Sequence, residues 1–288
     1  MLLHVIVGES WYAWHTHYDV FILCVGLLVS YWYAVTIWRP HIADAGRVKR
    51  SQVAYWLSGV AVIFIATGSP IHDIAERYLL SMHMTQHLLL SLVAPPLLLA
   101  GVPTWLWEAL LLRRFVQPVA QVALHPLVAI FSFNMFLVIS HLPNVLDSAL
   151  EHHWLHFSMH AFLVTTSMMM WWPIITNVQN LPRLSYPYQM AYIFVQSLIP
   201  AVVGSFITFS RTPVYSFYES APRIWGLDPV SDQQWGALIM KLVGSLILWS
   251  FIAVAFFKWY AREEAEARGL PWSEVEQELR DIGVAPRR

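Results

Sequence analysis

Leu79-Leu80-Ser81-Met82-His83-Met84-Thr85-Gln86-His87-Leu88-Leu89-Leu90-Ser91-Leu92-Val93-Ala94-Pro95-Pro96-Leu97-Leu98-Leu99-Ala100-Gly101 contains no Lys, Arg, Asp or Glu. At about 1.5 Å rise per residue, such a run spans a hydrocarbon core roughly 30 Å thick. Its first turns nevertheless carry two imidazoles, and a spacing of four puts His83 and His87 on one helix face. Pro95-Pro96 predicts a kink or interruption further in. Comparable apolar runs flank it: Asp19–Trp38, Val53–Ser69, Val119–Leu142, Trp154–Thr176, Tyr188–Ser210 and Trp235–Trp259. In the sixth, Pro200 followed by Gly204 predicts a bend. Charged residues make up 12% of the chain and hydrophobic ones 57%, where a soluble domain carries about 25% charged. The expected fold class is therefore all-α, an integral membrane bundle of seven transmembrane helices in a lipid bilayer.

Orientation follows from Lys and Arg. One set of connecting segments holds Arg39, Arg47, Lys49, Arg50, Arg113, Arg114 and Arg183, together with the tail from Lys258 onward. The alternate set holds Arg77, Arg211 and Arg223, and Lys241 falls within a span. The positive-inside rule puts the N-terminus outside and the C-terminus in the cytoplasm. The domain reading is a transmembrane unit over 1–259 and a charged cytoplasmic tail over 260–288. The first residues lack a basic n-region, so the first helix is expected to act as its own insertion signal. With a formal net charge of −1 and no basic stripe, nucleic acid is not an expected partner. Cys24 is the single cysteine, which excludes a thiolate metal site within the chain, so any metal must be held by His, Met or carboxylate.

On this topology the histidines divide unevenly. His4, His15, His17, His72, His83, His87, His141, His152, His153, His156 and His160 fall outside or in the outer half, and only His41 and His125 fall inside. His156 and His160 repeat the spacing of His83 and His87 at matching depth, so four imidazoles converge if the third and fifth helices are neighbours. Thioethers accompany them, notably Met84 and, in the seventh span, Met240. Imidazole plus thioether without thiolate suits copper, Cu(I) above all, and still allows zinc. A lone intramembrane His is often just a hydrogen-bonding residue between helices, and Met in a span usually packs. Two pairs at one depth are costly unless functional. Asp232 and Asp73 are expected in the second shell, taking an imidazole N–H. His141 and Lys241 stand near the same depth, Lys241 either snorkelling outward or pairing with a carboxylate of the cluster.

The segment His83-Met84-Thr85-Gln86-His87-Leu88, with Ala94-Pro95-Pro96-Leu97 and Gly101-Val102-Pro103, resembles the signature of the CtaG-type cytochrome c oxidase assembly factors. His156 to His160 leading to Trp171-Trp172-Pro173, and Asp232-Gln233-Gln234 leading to Met240 and Gly244, agree with it. Lys241 stands where an aromatic residue is expected in that family. The resemblance implies a bacterial plasma-membrane protein, not an enzyme, needed to mature haem–copper oxidase. Copper delivery to the copper-bearing oxidase subunit is the expected role, and a homo-oligomer is allowed. The predicted ligands are His83, His87, His156 and His160, with Met84 and Met240 as soft auxiliaries and the metal site facing the extracytoplasmic side.

Two other readings remain open. A b-type haem protein would use one His from each helix as axial ligands, but the fifth span has no Gly beside which a flat macrocycle could lie. A copper transporter needs a path across the membrane, and the inner halves offer few polar residues. No nucleophile–base arrangement or phosphate-cradling loop speaks for hydrolase or transferase chemistry.

Overall fold

The computed structural model describes residues 17–42, 44–267 and 272–284, and every regular element among them is helical. His4 and His15 lie outside the described residues. In chain order the helices are α1 (Tyr18–His41), α2 (Arg50–Gly68), α3 (Pro70–Arg77), α4 (Leu80–Gly101), α5 (Thr104–Leu111), α6 (Gln117–Ala123) and α7 (Pro126–Ser140). They continue with α8 (Pro143–Glu151), α9 (His153–Ile175), α10 (Tyr186–Phe209), α11 (Ser216–Ser220), α12 (Pro229–Ala267) and α13 (Trp272–Asp281). Large side chains such as Phe21, Leu127, Phe206 and Leu246 face outward, which is the inverse of a soluble core and suits a lipid surround.

Among the described residues, five helices are long and apolar enough to cross a membrane: α1, α2, α4, α10 and α12. The pair α6 and α7, bent by 62°, makes a sixth if counted as one span. Seven spans were expected, and the two differences have physical causes. The run Val119–Leu142 breaks at His125, because Pro126 lacks an N–H and sits at the first position of α7. The His125 Nδ1 there accepts from the Leu127 N–H at 3.3 Å. The run Trp154–Thr176 is a continuous helix, α9, yet it is too polar to count. His156, His160, Thr166 and Ser167 are buried along it, so its most polar face is turned to its neighbours while Trp154, Leu155 and Phe162 face outward. It packs on α4, α7 and α8.

The predicted interruption at Pro95-Pro96 takes the form of a π-helical turn, Leu89–Val93, inside a continuous α4. Pro95 cannot donate to the carbonyl of Ser91, and the indole N–H of Trp171 on α9 takes its place at 2.9 Å. The helix α10 runs through Pro200 without a break. At the far end of α4 the backbone approaches α2 so closely that a Cβ on Gly101 would lie 2.6 Å from the Trp56 nitrogen. The Tyr31 hydroxyl of α1 donates to the Gly101 carbonyl at 3.0 Å, and its ring stacks on Trp56. Beyond the bundle, α13 folds back on the end of α12 through Ala265, Val275 and Leu279.

Candidate metal centre

One end of the bundle gathers the starts of α1, α4, α9 and α12, the end of α7, and the short helices α3 and α11. The start of α4 is fixed first. A helix N-terminus leaves backbone N–H groups unpaired, and here the Asp232 carboxylate of α12 accepts from Leu80 N (2.7 Å), Ser81 N (3.1 Å) and Ser81 Oγ (2.6 Å). Gly236, one turn on, brings the α12 backbone against Ser81, where a Cβ would sit 3.2 Å from the Ser81 Cα. The depth of His83 and His87 is set by this cap. Ser69 starts α3 in the same way, its Oγ accepting from Ile71 N ahead of Pro70 at the first position. That turns His72, Asp73 and Glu76 toward the cluster.

The paired imidazoles of α4 and α9 meet. Ring centroids are 4.2 Å apart for His83 and His87, 4.3 Å for His156 and His160, 5.5 Å for His83 and His156, and 5.4 Å for His87 and His160. One ligand atom from each of His83, His87 and His156 lies within 4.8 Å of the other two. His72 stands 6.4 Å from His160, and His141 stands 6.1 Å from His87. Tyr218 of α11 closes the top, its ring edge on His83 and its hydroxyl donating to the Ala75 carbonyl at 2.6 Å. Burial pushes the Tyr218 hydroxyl well above its ordinary range, so it stays a donor.

Hydrogen bonds assign the tautomers. The Gln86 amide donates both to the Ala66 carbonyl (2.9 Å) and to His72 Nδ1 (2.8 Å). His72 therefore carries its proton on Nε2 and gives it to Glu76 Oε1 at 3.1 Å. The same Glu76 oxygen takes the Nδ1 proton of His156 at 2.5 Å, leaving the His156 Nε2 lone pair free. His141 likewise gives Nδ1–H to the Leu137 carbonyl at 2.7 Å. The outcome is a set of buried ring nitrogens without a partner: both of His83 and the Nε2 atoms of His141, His156 and His160. His83 is 0% exposed. Leaving such atoms unpaired costs about 1–3 kcal/mol each, and the donor set is what a cation with a preference for imidazole would satisfy.

The charge balance supports a cation. Burial pushes the Glu76 carboxyl up, but the hydrogen bond from His156 and the neighbouring imidazoles outweigh it and hold Glu76 below the usual carboxylate range. It is thus an anion touching the cluster. Burial pushes His72 down, so it stays neutral and bonded. The Asp73 carboxylate, 3.6 Å from Nε2, raises His17 against the opposing effect of burial, and the His17 ring meets His72 edge-on at 4.6 Å.

Sequence reasoning placed the four central histidines correctly as neighbours and misassigned the carboxylates. Asp232 does not take an imidazole proton; it caps α4. Asp73 stands beside His17 at 3.6 Å and Arg77 at 3.6 Å, not beside the paired rings. Lys241 pairs with no carboxylate of the cluster, and its ammonium lies over the Phe209 ring at 5.7 Å. Met84 and Met240 are buried in one apolar cluster and line a small void together with His87 and His141. The residue that reasoning missed is Glu76. Its signal was present, since His72 and Glu76 are four apart on a short helix that starts at Ser69-Pro70, so they share a face.

No solved structure matches the chain. It is 25% identical over 228 residues to an uncharacterized protein of Mycobacterium bovis, and equally to one of Mycobacterium tuberculosis; each match covers 73% of this chain and 34% of the relative. An uncharacterized protein of Mycobacterium leprae is 21% identical over 264 residues, 80% of this chain and 38% of the relative. The chain thus spans about a third of the length of the curated relatives it matches. The family model of the cytochrome c oxidase caa3 assembly factor (Caa3_CtaG) matches residues 29–262 and takes in α4, α9 and α12 with their imidazole, capping and thioether residues, so the chain belongs to that family.

Proposed function

We propose that this assembly factor binds copper between α4 and α9 and passes it to the copper-bearing subunit of cytochrome c oxidase. His83, His87 and His156 are the ligands, with His160 within reach as a fourth. The observation that carries this reading is that His83, His87 and His156 can point ligand atoms at one ion, while the ring nitrogens of His83 and the Nε2 of His156 are buried with no other partner. Glu76 orients His156 and compensates the cation's charge, as outer-shell carboxylates do. No turnover is needed: ligand exchange between sites of similar affinity moves the ion, and the absence of thiolate keeps the hold exchangeable.

The reading includes seven spans, with the bent pair and α9 added to the five apolar helices. The loop between α1 and α2, with Arg47, Lys49 and Arg50, lies at the opposite end of the bundle from His17. The positive-inside rule then sets the histidine end on the extracytoplasmic face of a bacterial plasma membrane. Haem is the weaker alternative, because His83 and His156 stack on each other at 5.5 Å, with no gap for a macrocycle between them.

The test is metal content. Protein purified from copper-supplied cells should carry copper, and a His83→Ala/His87→Ala double variant should carry none while keeping its helical spectrum. Equal copper in both proteins refutes the assignment, and a Soret band in the wild type replaces it with haem.

A further inference from the structure

We propose that Met84, Met240 and His141 form a second, softer station for a monovalent cation of the copper group, set beside the His83–His156 station with His87 between the two. The inference rests on the copper reading above and extends it. These residues line a separate void of about 40 Å³, which is the scale of a single ion or a single water, whose share of liquid volume is about 30 Å³. Met84 lies one helical turn before His87 on α4, so both side chains reach one face. Met240 comes from the π-helical turn Ile239–Val243 of α12. Such a turn shifts the phase of the side chains that follow and recurs at functional sites.

Apart from the Ser245 hydroxyl, the void offers soft donors and little else. His141 spends Nδ1–H on the Leu137 carbonyl, so its buried, partnerless Nε2 presents a lone pair. The hydroxyls of Ser91, Ser140 and Ser197, which also border the void, are turned to the backbone carbonyls of His87 (2.6 Å), Leu137 (3.0 Å) and Phe194 (2.7 Å). Gln196 is paired with Asn134 at 2.9 Å. No carboxylate borders it. Two thioethers and an imidazole select Cu(I) or Ag(I) over hard cations. A ligand set without negative charge in an apolar interior also disfavours a divalent ion, because the cost of burying charge climbs steeply with its size.

The two stations differ in hardness. The histidine station has the Glu76 anion beside it, whereas the thioether station has no anion. His87 has one lone pair and serves one ion at a time, so it is the exchange point between them. The cation keeps its charge throughout, and only ligand bonds are made and broken.

Silver(I), a soft monovalent probe, tests this with the full chain stripped of metal and titrated in detergent under exclusion of thiols. Two tightly held equivalents are expected for the wild type and one for Met84→Leu/Met240→Leu, a volume-conserving change that keeps the packing. His83→Ala/His156→Ala should also retain one. X-ray absorption of the loaded wild type should show sulfur scatterers, lost in the methionine variant. One equivalent in the wild type, bound by nitrogen alone, overturns the second station and leaves the histidine site standing. Two equivalents in the methionine variant, or no sulfur scatterers in the wild type, overturn it as well. No bound silver at all removes both readings.

Discussion

The two ends of α4 are held by opposite means. Toward its far end several buried donors are matched, the Tyr31 hydroxyl by the Gly101 carbonyl, the Trp171 indole by Ser91 and the Tyr192 hydroxyl by Met170. The nitrogens left without a partner there are the indole N–H groups of Trp56, Trp105, Trp107 and Trp172, donors that cannot hold a cation. Around them Leu98, Leu99, Met170, Trp171 and Trp172 pack as ordinary core. At the histidine end the unmatched nitrogens are those of imidazoles, six with the Nε2 of His17, and an imidazole lone pair can hold a cation. Packing alone would select apolar side chains at the imidazole positions, so it is the unmatched lone pairs that mark the end whose stability has been exchanged for ligand capacity. Variants at the two ends should therefore separate metal affinity from fold stability.

The largest effect belongs to the carboxylate that sets the tautomer. Glu76→Gln keeps the size of the side chain but removes the anion that fixes His156 and His72. Loss of an outer-shell partner costs about 10–100-fold in metal affinity, and that drop is expected in a copper competition assay with little change in Tm. An unchanged affinity would show that His156 needs no orientation from α3 and would weaken the contrast between the two ends.

Gly101→Ala should do the reverse. The added Cβ would meet the backbone of Trp56 at 2.6 Å, a clash that no rotamer relieves, so α2 and α4 must separate. Overpacking of this kind costs about 1–3 kcal/mol, read as a lower Tm in detergent, with copper stoichiometry unaltered. If instead the variant lost metal at wild-type Tm, the two ends of α4 would be coupled and would not divide stability from metal binding.

The contrast also explains what could be read from the sequence. Apolar length located five helices directly, and the four-residue spacing of His83/His87 and His156/His160 was enough to predict convergence, because helical periodicity fixes a face from local residues alone. The span count was less legible. Pro126 breaks one run by 62°, and α9 is too polar to pass as an apolar span, with His156, His160, Thr166 and Ser167 turned to other helices. The carboxylates were least legible of all. Asp232 and Glu76 act on residues far away in the chain, Leu80 in one case and His156 in the other, and periodicity carries no information about which carboxylate faces which helix end.

The smallest expected effect concerns the contact of His17 with α3. His17, just ahead of α1, faces Asp73, Glu76 and Asp19, with the His72 ring against it. The Asp73 carboxylate, first among these, raises its pKa against the opposing effect of burial. A histidine whose folded value lies above its unfolded one, ordinarily about 6.5, stabilises the fold fully below that unfolded value. The contribution fades as pH rises through the raised folded value. The contact of α1 with α3 should thus be tightest in mild acid and loosen toward neutral and alkaline pH, by no more than about 1 kcal/mol for a partly solvated pair. Asp73→Asn should bring the NMR titration midpoint of His17 down toward the ordinary value; a midpoint that stays put would mean that Asp19 and Glu76, not Asp73, hold the end of α1 in place.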